Sequence, residues 1–455
     1  MAISAKPPSG TRDFLPAAIA RRRYVLERIE RAYQHHGFVP LETPAMERLD
    51  VLTAKYGEEG DGLIFTVLKR REKLDLDKVD PAEPLVPQLS DLALRYDLTV
   101  PLARVVAAHQ QELPKFFKRY QVQPVWRADR PQKGRFREFY QCDVDFVGTR
   151  SVVAEVTVVS AVVDALTALG FDAFTIRIND RRILTGLLNG AGIPASLHAD
   201  ALIAVDKLDK IGEDGVLGEL TSRGIDAAGA ATLLRSFSSA ATDDETFAQL
   251  DGAVASDDAA AAEGISTLRR LVELLRASGV TPCWRIDPSL ARGLSYYTGP
   301  IFEIAVEGLN GSMGGGGRYD ELVGMFRGQD VPAVGFSLGL ERLLVVMEDR
   351  GMFPAVDFHA DVLIAPLSEN EWAPAQALAR VLHSEDTVTE VYPETAKLGK
   401  MMQYAEQGGC GVVAILGSRE AEAGEVGLKH LASGQQVTLP WSDVARQLRA
   451  WAGAE

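Results

Sequence analysis

The stretch from Lys115 to Gly148 constrains the fold more than any other. Two runs with a two-residue period flank the polar loop ADRPQKGRF, the pattern of an antiparallel hairpin. The first strand is expected over Phe116 to Arg127 and the second over Arg137 to Val147. In the second, Tyr140, Cys142, Val144 and Phe146 point one way, and Phe139, Gln141, Asp143 and Asp145 the other. In the first, Arg119, Gln121, Gln123 and Arg127 also share a face. Antiparallel sheets often turn a polar face to water, so a solvated hairpin is one reading. Arginines, glutamines and carboxylates on both strands favour the other, a site built on one sheet surface. The same stretch carries eight basic residues between Lys115 and Arg137 against one acidic residue, Asp129. That local excess suits phosphate or RNA.

The excess stands out because the chain of 455 residues has a net charge of −15. Such a chain is not an indiscriminate nucleic-acid binder, although a local basic patch on an acidic body remains compatible with it. The length suggests roughly three domains. Cys142, Cys283 and Cys410 form no CxxC pair, which predicts reduced thiols and no structural zinc. The seven histidines make no HExxH pattern, and no GxxxxGK[ST] phosphate loop occurs. No apolar run approaches the ~18 residues of a membrane span. The start, MAISAKPPSGTRDFLP, is too rich in proline for a secretory leader, so a cytoplasmic location is expected.

Along the chain, Val25, Leu26, Ile29, Ala32 and Tyr33 mark one face of a helix over Ala17 to His36, stopped by Gly37. An extended stretch from Phe38 to Pro44 follows. Residues 181–279 alternate helical patterns with alanine-rich acidic stretches and read as a mostly helical insertion. From Cys283 to Gly317 the chain is rich in strand and glycine signals, then turns helical over Asp320 to Phe326. The run Gly314 to Gly317 either lets backbone approach a ligand or makes a tight turn into that helix. In the last hundred residues, DVLIAP, TVTEVY and GVVAIL alternate with helical patterns at Ala375 to His383 and Lys400 to Gln407. This is the signature of an α/β module, with a boundary near Met352 to Phe358.

Taken together, these segments resemble the histidyl-tRNA synthetases, class IIa aminoacyl-tRNA synthetases, over nearly the whole chain. GTRDFLP and the Gly37 to Pro44 stretch are similar to the N-terminal region and motif 1. VWRADRPQKGRFREFYQCDVDFVG is similar to motif 2, and AVGFSLGLERLL to motif 3. ARGLSYYTGPIFE and GGGGRYDELVG resemble the two histidine signature peptides, and LRYDLTVPLAR the amino-acid-binding segment. The implied fold is α+β. An antiparallel-sheet catalytic domain occupies residues 1–180 and 280–352, with the helical insertion at 181–279 between the two parts. An α/β anticodon-binding domain follows at 357–455. The implied reaction joins histidine to ATP as histidyl-adenylate, then moves the histidyl group to the tRNA. Its implied partners are L-histidine, ATP with Mg2+, tRNA-His and a second copy of the chain as a homodimer.

The first step brings a carboxylate to a phosphate, so positive charge must offset the repulsion, and arginine binds both groups in pairs. The resemblance gives Arg127 to the α-phosphate and substrate carboxylate, with Arg292 as a second catalytic charge. It gives Arg135 and Arg342 to the outer phosphates, Phe139 and Arg342 to the two sides of the adenine, and Asp129 to the adenine amino group. For histidine it implies Asp97, Thr99 and Gln141 at the ammonium, and Asp145 and Tyr297 at the ring nitrogens, with Tyr296 adjacent. Arg130, Gln132 and Lys133 would meet the tRNA acceptor end. One departure is Ser295, where the family usually has aspartate; activity is expected to survive it. The alternative reading is a regulatory paralogue that binds histidine or a partner enzyme without charging tRNA. A tRNA-sensing module of the kind fused to a kinase is a lesser alternative, and no kinase signature is present.

Overall fold

A computed structural model describes residues 3–53, 62–70, 73–237, 242–280, 283–291, 296–308, 311–356 and 358–452. The chain divides into two compact units. The larger holds Arg22–Phe353 with the N-terminal arm, and the smaller is built mainly from Pro354–Glu455.

The first helix spans Pro16–His35, and from Arg22 on it belongs to the larger unit, where it buries Val25, Ile29, Ala32 and Tyr33, the face its periodicity marks. Gly37, at φ +76°, ends it in a conformation open to glycine. The extended stretch that follows forms only a short strand, β1 (Val39–Pro40). Strands β2 (Met46–Arg48), β3 (Thr66–Leu68) and β4 (Ser90–Leu94) make a small antiparallel sheet in the order β2-β4-β3. The hairpin comes next, as β5 (Phe117–Trp126) and β6 (Glu138–Val147), each within a residue of its expected bounds. After it come β7 (Thr175–Asp180), β8 (Trp284–Ile286), β9 (Pro300–Ala305), β10 (Gly314–Arg318) and β11 (Ala333–Gly339). They complete an eight-stranded sheet in the order β1-β5-β6-β11-β10-β9-β7-β8. Its central pairs are antiparallel, and β1 and β8 pair in parallel at the edges.

Under this sheet lies the helix Val153–Ala168, apolar on nearly all sides and buried accordingly. Between β7 and β8 every regular element among the described residues is helical, from Arg181–Gly190 to Ala259–Ala277. These helices belong to the same compact unit as the sheet.

The glycine run proved to be strand. Gly314 to Gly317 form β10 in the middle of the sheet, and a tight turn into a helix is not what they make. The helix expected over Asp320 to Phe326 is a turn followed by one short helix, Gly324–Arg327. The packing explains the strand. Gly316 pairs with Phe302 on one side and Phe336 on the other, whose rings stack at 6.0 Å. A Cβ on Gly316 would lie 2.0 Å from the Gly335 carbonyl oxygen. The two aromatic rings supply the apolar mass that the glycine lacks.

The smaller unit has a five-stranded sheet of β12 (Val362–Pro366), β13 (Thr389–Val391), β14 (Val412–Leu416), β15 (Glu425–His430) and β16 (Gln436–Pro440). The order is β13-β12-β14-β15-β16, parallel among the first three and antiparallel in the rest. Val362 and Ile364 face one core, with Leu378 and Val444 from two helices. Leu363 and Ala365 face the other, with Met401 from the helix Leu398–Gln407. Burial on both faces is why β12 reads as an unbroken apolar run. The last two strands, β15 and β16, carry alternating patterns that sequence reasoning passed over.

Candidate active site

On one face of the large sheet the register places polar side chains in rows. Arg119, Asp145 and Gly335 are opposite one another on β5, β6 and β11; so are Gln121, Asp143 and Ser337, and next Gln123, Gln141 and Gly339. The middle row continues through Gly315 on β10 and Glu303 on β9 to Arg177 on β7. This face is not wet: Arg119, Gln121, Asp143 and Asp145 are each no more than 2% exposed. Large side chains stand at the flanks of the rows and small ones at the centre. The result is a cleft of about 1150 Å3 over the glycine strands, a size that suits a nucleotide and an amino acid together.

At one end, the Asp145 carboxylate leans across β11, since a Cβ on Gly335 would lie 1.9 Å from its Oδ1. Tyr297 lies across β10 in the same way, 2.8 Å from where a Gly317 Cβ would stand. Gly335 and Gly317 are themselves cross-strand partners, so Asp145 and Tyr297 come side by side. Behind them Arg119 Nη2 approaches Asp145 Oδ2 at 2.9 Å, and the Tyr319 hydroxyl donates to Asp145 Oδ1. Tyr296 meets Tyr297 and Tyr319 edge to face, at 4.9 and 6.1 Å. Burial pushes both the Asp143 and the Asp145 carboxyl above the usual carboxylate range, and the Arg119 charge only partly offsets it.

Asp97 and Thr99 enter from the start of the helix Thr99–Ala108. Asp97 is buried, and its Oδ1 accepts from the Val100 amide at 3.1 Å, in the manner of a helix cap. Arg127 follows β5. Its Nε donates to the Tyr96 carbonyl at 3.0 Å, and its guanidinium sits 4.2 Å from the Tyr96 ring and 5.2 Å from the Phe139 ring. A cation held between two aromatic faces keeps its direction without losing its charge. Gln141 donates to Ser337 Oγ at 2.7 Å.

The loop after Arg127 closes on itself. Arg135 Nη2 pairs with Asp129 Oδ1 at 3.0 Å, a bridge joins Gln132 to Arg135, and Gly134 turns at φ +73°. Arg137 anchors the loop to the N-terminal arm: its amide donates to the Gly10 carbonyl at 2.8 Å and its Nη1 to the Ser9 carbonyl at 3.2 Å. Arg342, on the helix Leu340–Asp349, reaches over the cleft to the Ser312 carbonyl.

The fold therefore brings Asp97, Thr99, Arg127, Asp129, Arg135 and Phe139 to one cleft, together with Gln132, Gln141, Asp145, Tyr296, Tyr297 and Arg342. Arg130 and Lys133 are exposed on the loop outside its lining, and Lys133 Nζ pairs with Asp349 at 2.8 Å. Arg292 and Ser295 lie outside the described residues. Among the described residues, no group of three or more His, Cys, Asp or Glu side chains is placed to hold a metal.

Several participants escaped sequence reasoning. Arg119 and Asp143 were visible in the alternating pattern without a role, and Tyr319 stood in GGGGRYD. Glu341, beside Arg342, is buried; its Oε2 accepts from the Tyr140 amide and its Oε1 from Arg22, both at 3.0 Å. It fixes the start of its helix against β6. Arg177 reaches Asp287 at 2.6 Å and Glu303 at 3.4 Å, and also Asp209 of the insertion.

A mainly antiparallel sheet with arginines beside a row of buried carboxylates agrees with the class II aminoacyl-tRNA synthetase fold that the sequence motifs imply. The family model described as histidyl-tRNA synthetase matches residues 84–343, and one described as an anticodon binding domain matches 361–451. The chain belongs to the histidyl-tRNA synthetase family. It is 40% identical to the histidine–tRNA ligase of Cytophaga hutchinsonii over 97% of this chain and 98% of that one. The ligase of Christiangramia forsetii is also 40% identical, over 99% of this chain and 100% of its own length. The crystal structure of histidyl-tRNA synthetase from a Nostoc species superposes with a TM-score of 0.82 at 31% identity, covering 99% of this chain and 100% of that one. A Bacillus halodurans structure described as an ATP phosphoribosyltransferase regulatory subunit/histidyl-tRNA synthetase is 20% identical with a TM-score of 0.74, covering 92% of this chain and 100% of that one; it shares the fold alone. The protein is a histidine–tRNA ligase, using ATP to charge tRNA with histidine.

Proposed function

We propose that Arg127 and Arg292 are the two catalytic charges of adenylate formation. Arg127, held between Tyr96 and Phe139 beside the row of carboxylates, is the observation that carries this reading. The nucleophile is the substrate carboxylate, already ionised, so no general base is required in this step. An arginine fork accepts its charge and that of the α-phosphate together, and stabilises both as the new bond forms. Asp97, Thr99 and Gln141 hold the ammonium group, and Asp145, Tyr296 and Tyr297 hold the imidazole. A pocket built around ring hydrogen bonds rejects apolar side chains, because its buried polar atoms would then go unpaired.

Phe139 and Arg342 cover the adenine, and Asp129 meets its amino group. Arg135 and Arg342 hold the outer phosphates. For Arg135 this requires release from Asp129, a partly exposed pair whose loss costs little. Magnesium enters with the ATP, on its phosphates. Arg130, Gln132 and Lys133 receive the tRNA acceptor end, and the α/β unit recognises the anticodon. The functional division is 1–180 with 280–352 for catalysis, 181–279 as the insertion and 357–455 for the anticodon. The enzyme works in the cytoplasm as a homodimer, with gel filtration expected at about twice its 49.3 kDa. No helix of the described residues is long and apolar enough to cross a membrane.

Histidine-dependent ATP–pyrophosphate exchange tests the catalytic assignment. Arg127→Ala and Arg292→Ala are each expected to lower kcat by about 10²–10³-fold, the scale of one oxyanion-type donor. Exchange that survives both substitutions intact removes the two arginines from the chemistry. Exchange by the native protein also shows that Ser295 is tolerated.

A further inference from the structure

Asp143 is a buried carboxylate of this cleft that neither histidine binding nor adenylate formation yet uses. It lies on β6 between Gln141 and Asp145, on the same face, and lines the cleft. Its side chain is 2% exposed, and its Oδ1 has no hydrogen-bond partner. Ser337 lies directly across on β11, where its Oγ accepts from Gln141. Gln121, directly across on β5, gives its amide N–H groups to Thr43 and Gln123 at 2.9 and 2.6 Å instead. A buried carboxylate oxygen left without a donor is costly in a finished protein. At the wall of a substrate cleft, it is a place reserved for a donor on the ligand.

The charges around it say what kind of donor. Asp97, Asp143 and Asp145 are three buried carboxylates close enough to repel one another electrostatically. The cation facing them from the sheet is Arg119, fully buried and paired with Asp145. Tyr319, also against Asp145, is buried and its hydroxyl is held protonated by its surroundings. On the opposite face of β6, Cys142 and Tyr33 are buried and neutral for the same reason. With all three ionised, the one guanidinium that faces them from the sheet among the described residues would leave them short of two positive charges. Without a ligand, the raised Asp143 and Asp145 carboxyls make up part of that shortfall by keeping protons. The histidine ammonium supplies one of the two charges.

We infer that Asp143 is a specificity-determining residue that makes the pocket select a protonated, doubly cationic histidine, its unpartnered oxygen accepting a hydrogen bond from the substrate. The imidazolium supplies the second charge, so neutralisation is complete only when the ring carries its proton. This inference rests on the proposed histidine pocket and goes beyond it. Asp145 accepts a ring N–H in either protonation state, whereas Asp143 makes the basicity of the ring count. An amino acid of the same shape with a weakly basic ring is then penalised, although it fits.

The test uses pyrophosphate exchange by the full-length enzyme with L-histidine and with 1,2,4-triazol-3-yl-alanine. The analogue's ring is nearly isosteric with imidazole and far less basic. Asp143→Asn is expected to raise KM for histidine about tenfold, the worth of a hydrogen bond to a charged group. KM for ATP should stay within about twofold, and the preference for histidine over the triazole should narrow several-fold. Unchanged histidine KM, or an equal rise for both amino acids, overturns the inference. Should Asp143→Asn fail to fold, as judged by its melting transition, Asp143→Ser serves with the same expectations. Asp145→Asn is measured alongside. If it leaves histidine KM unchanged, the pocket assignment itself fails, and this inference with it. If it raises KM while the Asp143 variant does not, only the role of Asp143 is lost.

Discussion

Asp143 and Asp145 also leave a mark on stability at the scale of single residues. An unfolded aspartate titrates near 3.9, whereas burial raises Asp143 to about 7 and moves Asp145 in the same direction. The folded protein therefore binds more protons than the unfolded chain between those values. Each such group gives its full stability below the unfolded pKa and loses it as pH rises through the folded one. Asp143→Asn removes a charge that the apo fold carries at a cost only above that window. Its melting temperature should thus exceed that of the parent enzyme by more at pH 8 than at pH 5. Equal differences at the two pH values would show that Asp143 is not held protonated by its site. Saturating histidine should shrink the pH 8 difference, because the ligand supplies the missing positive charge. At this scale the sequence was informative about residue identity and poor about burial. The alternation put Gln141, Asp143 and Asp145 on one face, but that this face borders a cleft depends on the glycines of the neighbouring strands.

Those glycines belong to the element scale. β10 and β11 have no side chain at Gly315, Gly317 and Gly335, and the space above them becomes the floor of the cleft. A Cβ at Gly335 would lie 1.9 Å from Asp145 Oδ1, with the Val144 carbonyl oxygen 3.2 Å away. Gly335→Ala should displace the Asp145 carboxylate from Arg119 and Tyr319, raising histidine KM by at least about tenfold and costing about 1–3 kcal/mol of stability. Gly316→Ala meets backbone on the opposite face, 2.0 Å from the Gly335 carbonyl oxygen. It should part β10 from β11 and lower the melting temperature more than Gly335→Ala does, while the Gly335 variant has the larger effect on KM per degree lost. A pair of melts and histidine titrations separates the two. Strong periods made most elements legible: the first helix, the β5–β6 hairpin and the β12 run appear where their apolar spacing puts them. The glycine run was not, since glycine carries no hydrophobic pattern. Its strand is dictated by Phe302 and Phe336, which are distant in sequence and stack over Gly316.

For the whole molecule, the question is how a chain of net charge −15 holds an RNA. Arg130 and Lys133 are exposed beside the cleft on a loop tethered through Arg137 to Ser9 and Gly10, so the basic patch is carried on a braced support. Lys133 is paired with Asp349, and both side chains are largely exposed. Such a pair contributes little, so the lysine can exchange its carboxylate for a phosphate at small cost. A net negative charge disfavours indiscriminate RNA binding, so contact is expected at local basic patches. Binding of this kind should be strongly salt-dependent, through few phosphates. Replacing Arg130 and Lys133 by alanine should raise KM for tRNA several-fold and reduce the slope of log affinity against log salt by about 1 for each phosphate no longer neutralised. The tRNA-independent exchange reaction should change far less than charging does. A salt slope that is unaltered while charging falls would mean that these two residues act on the chemistry of the cleft, and that the tRNA acceptor end is held elsewhere.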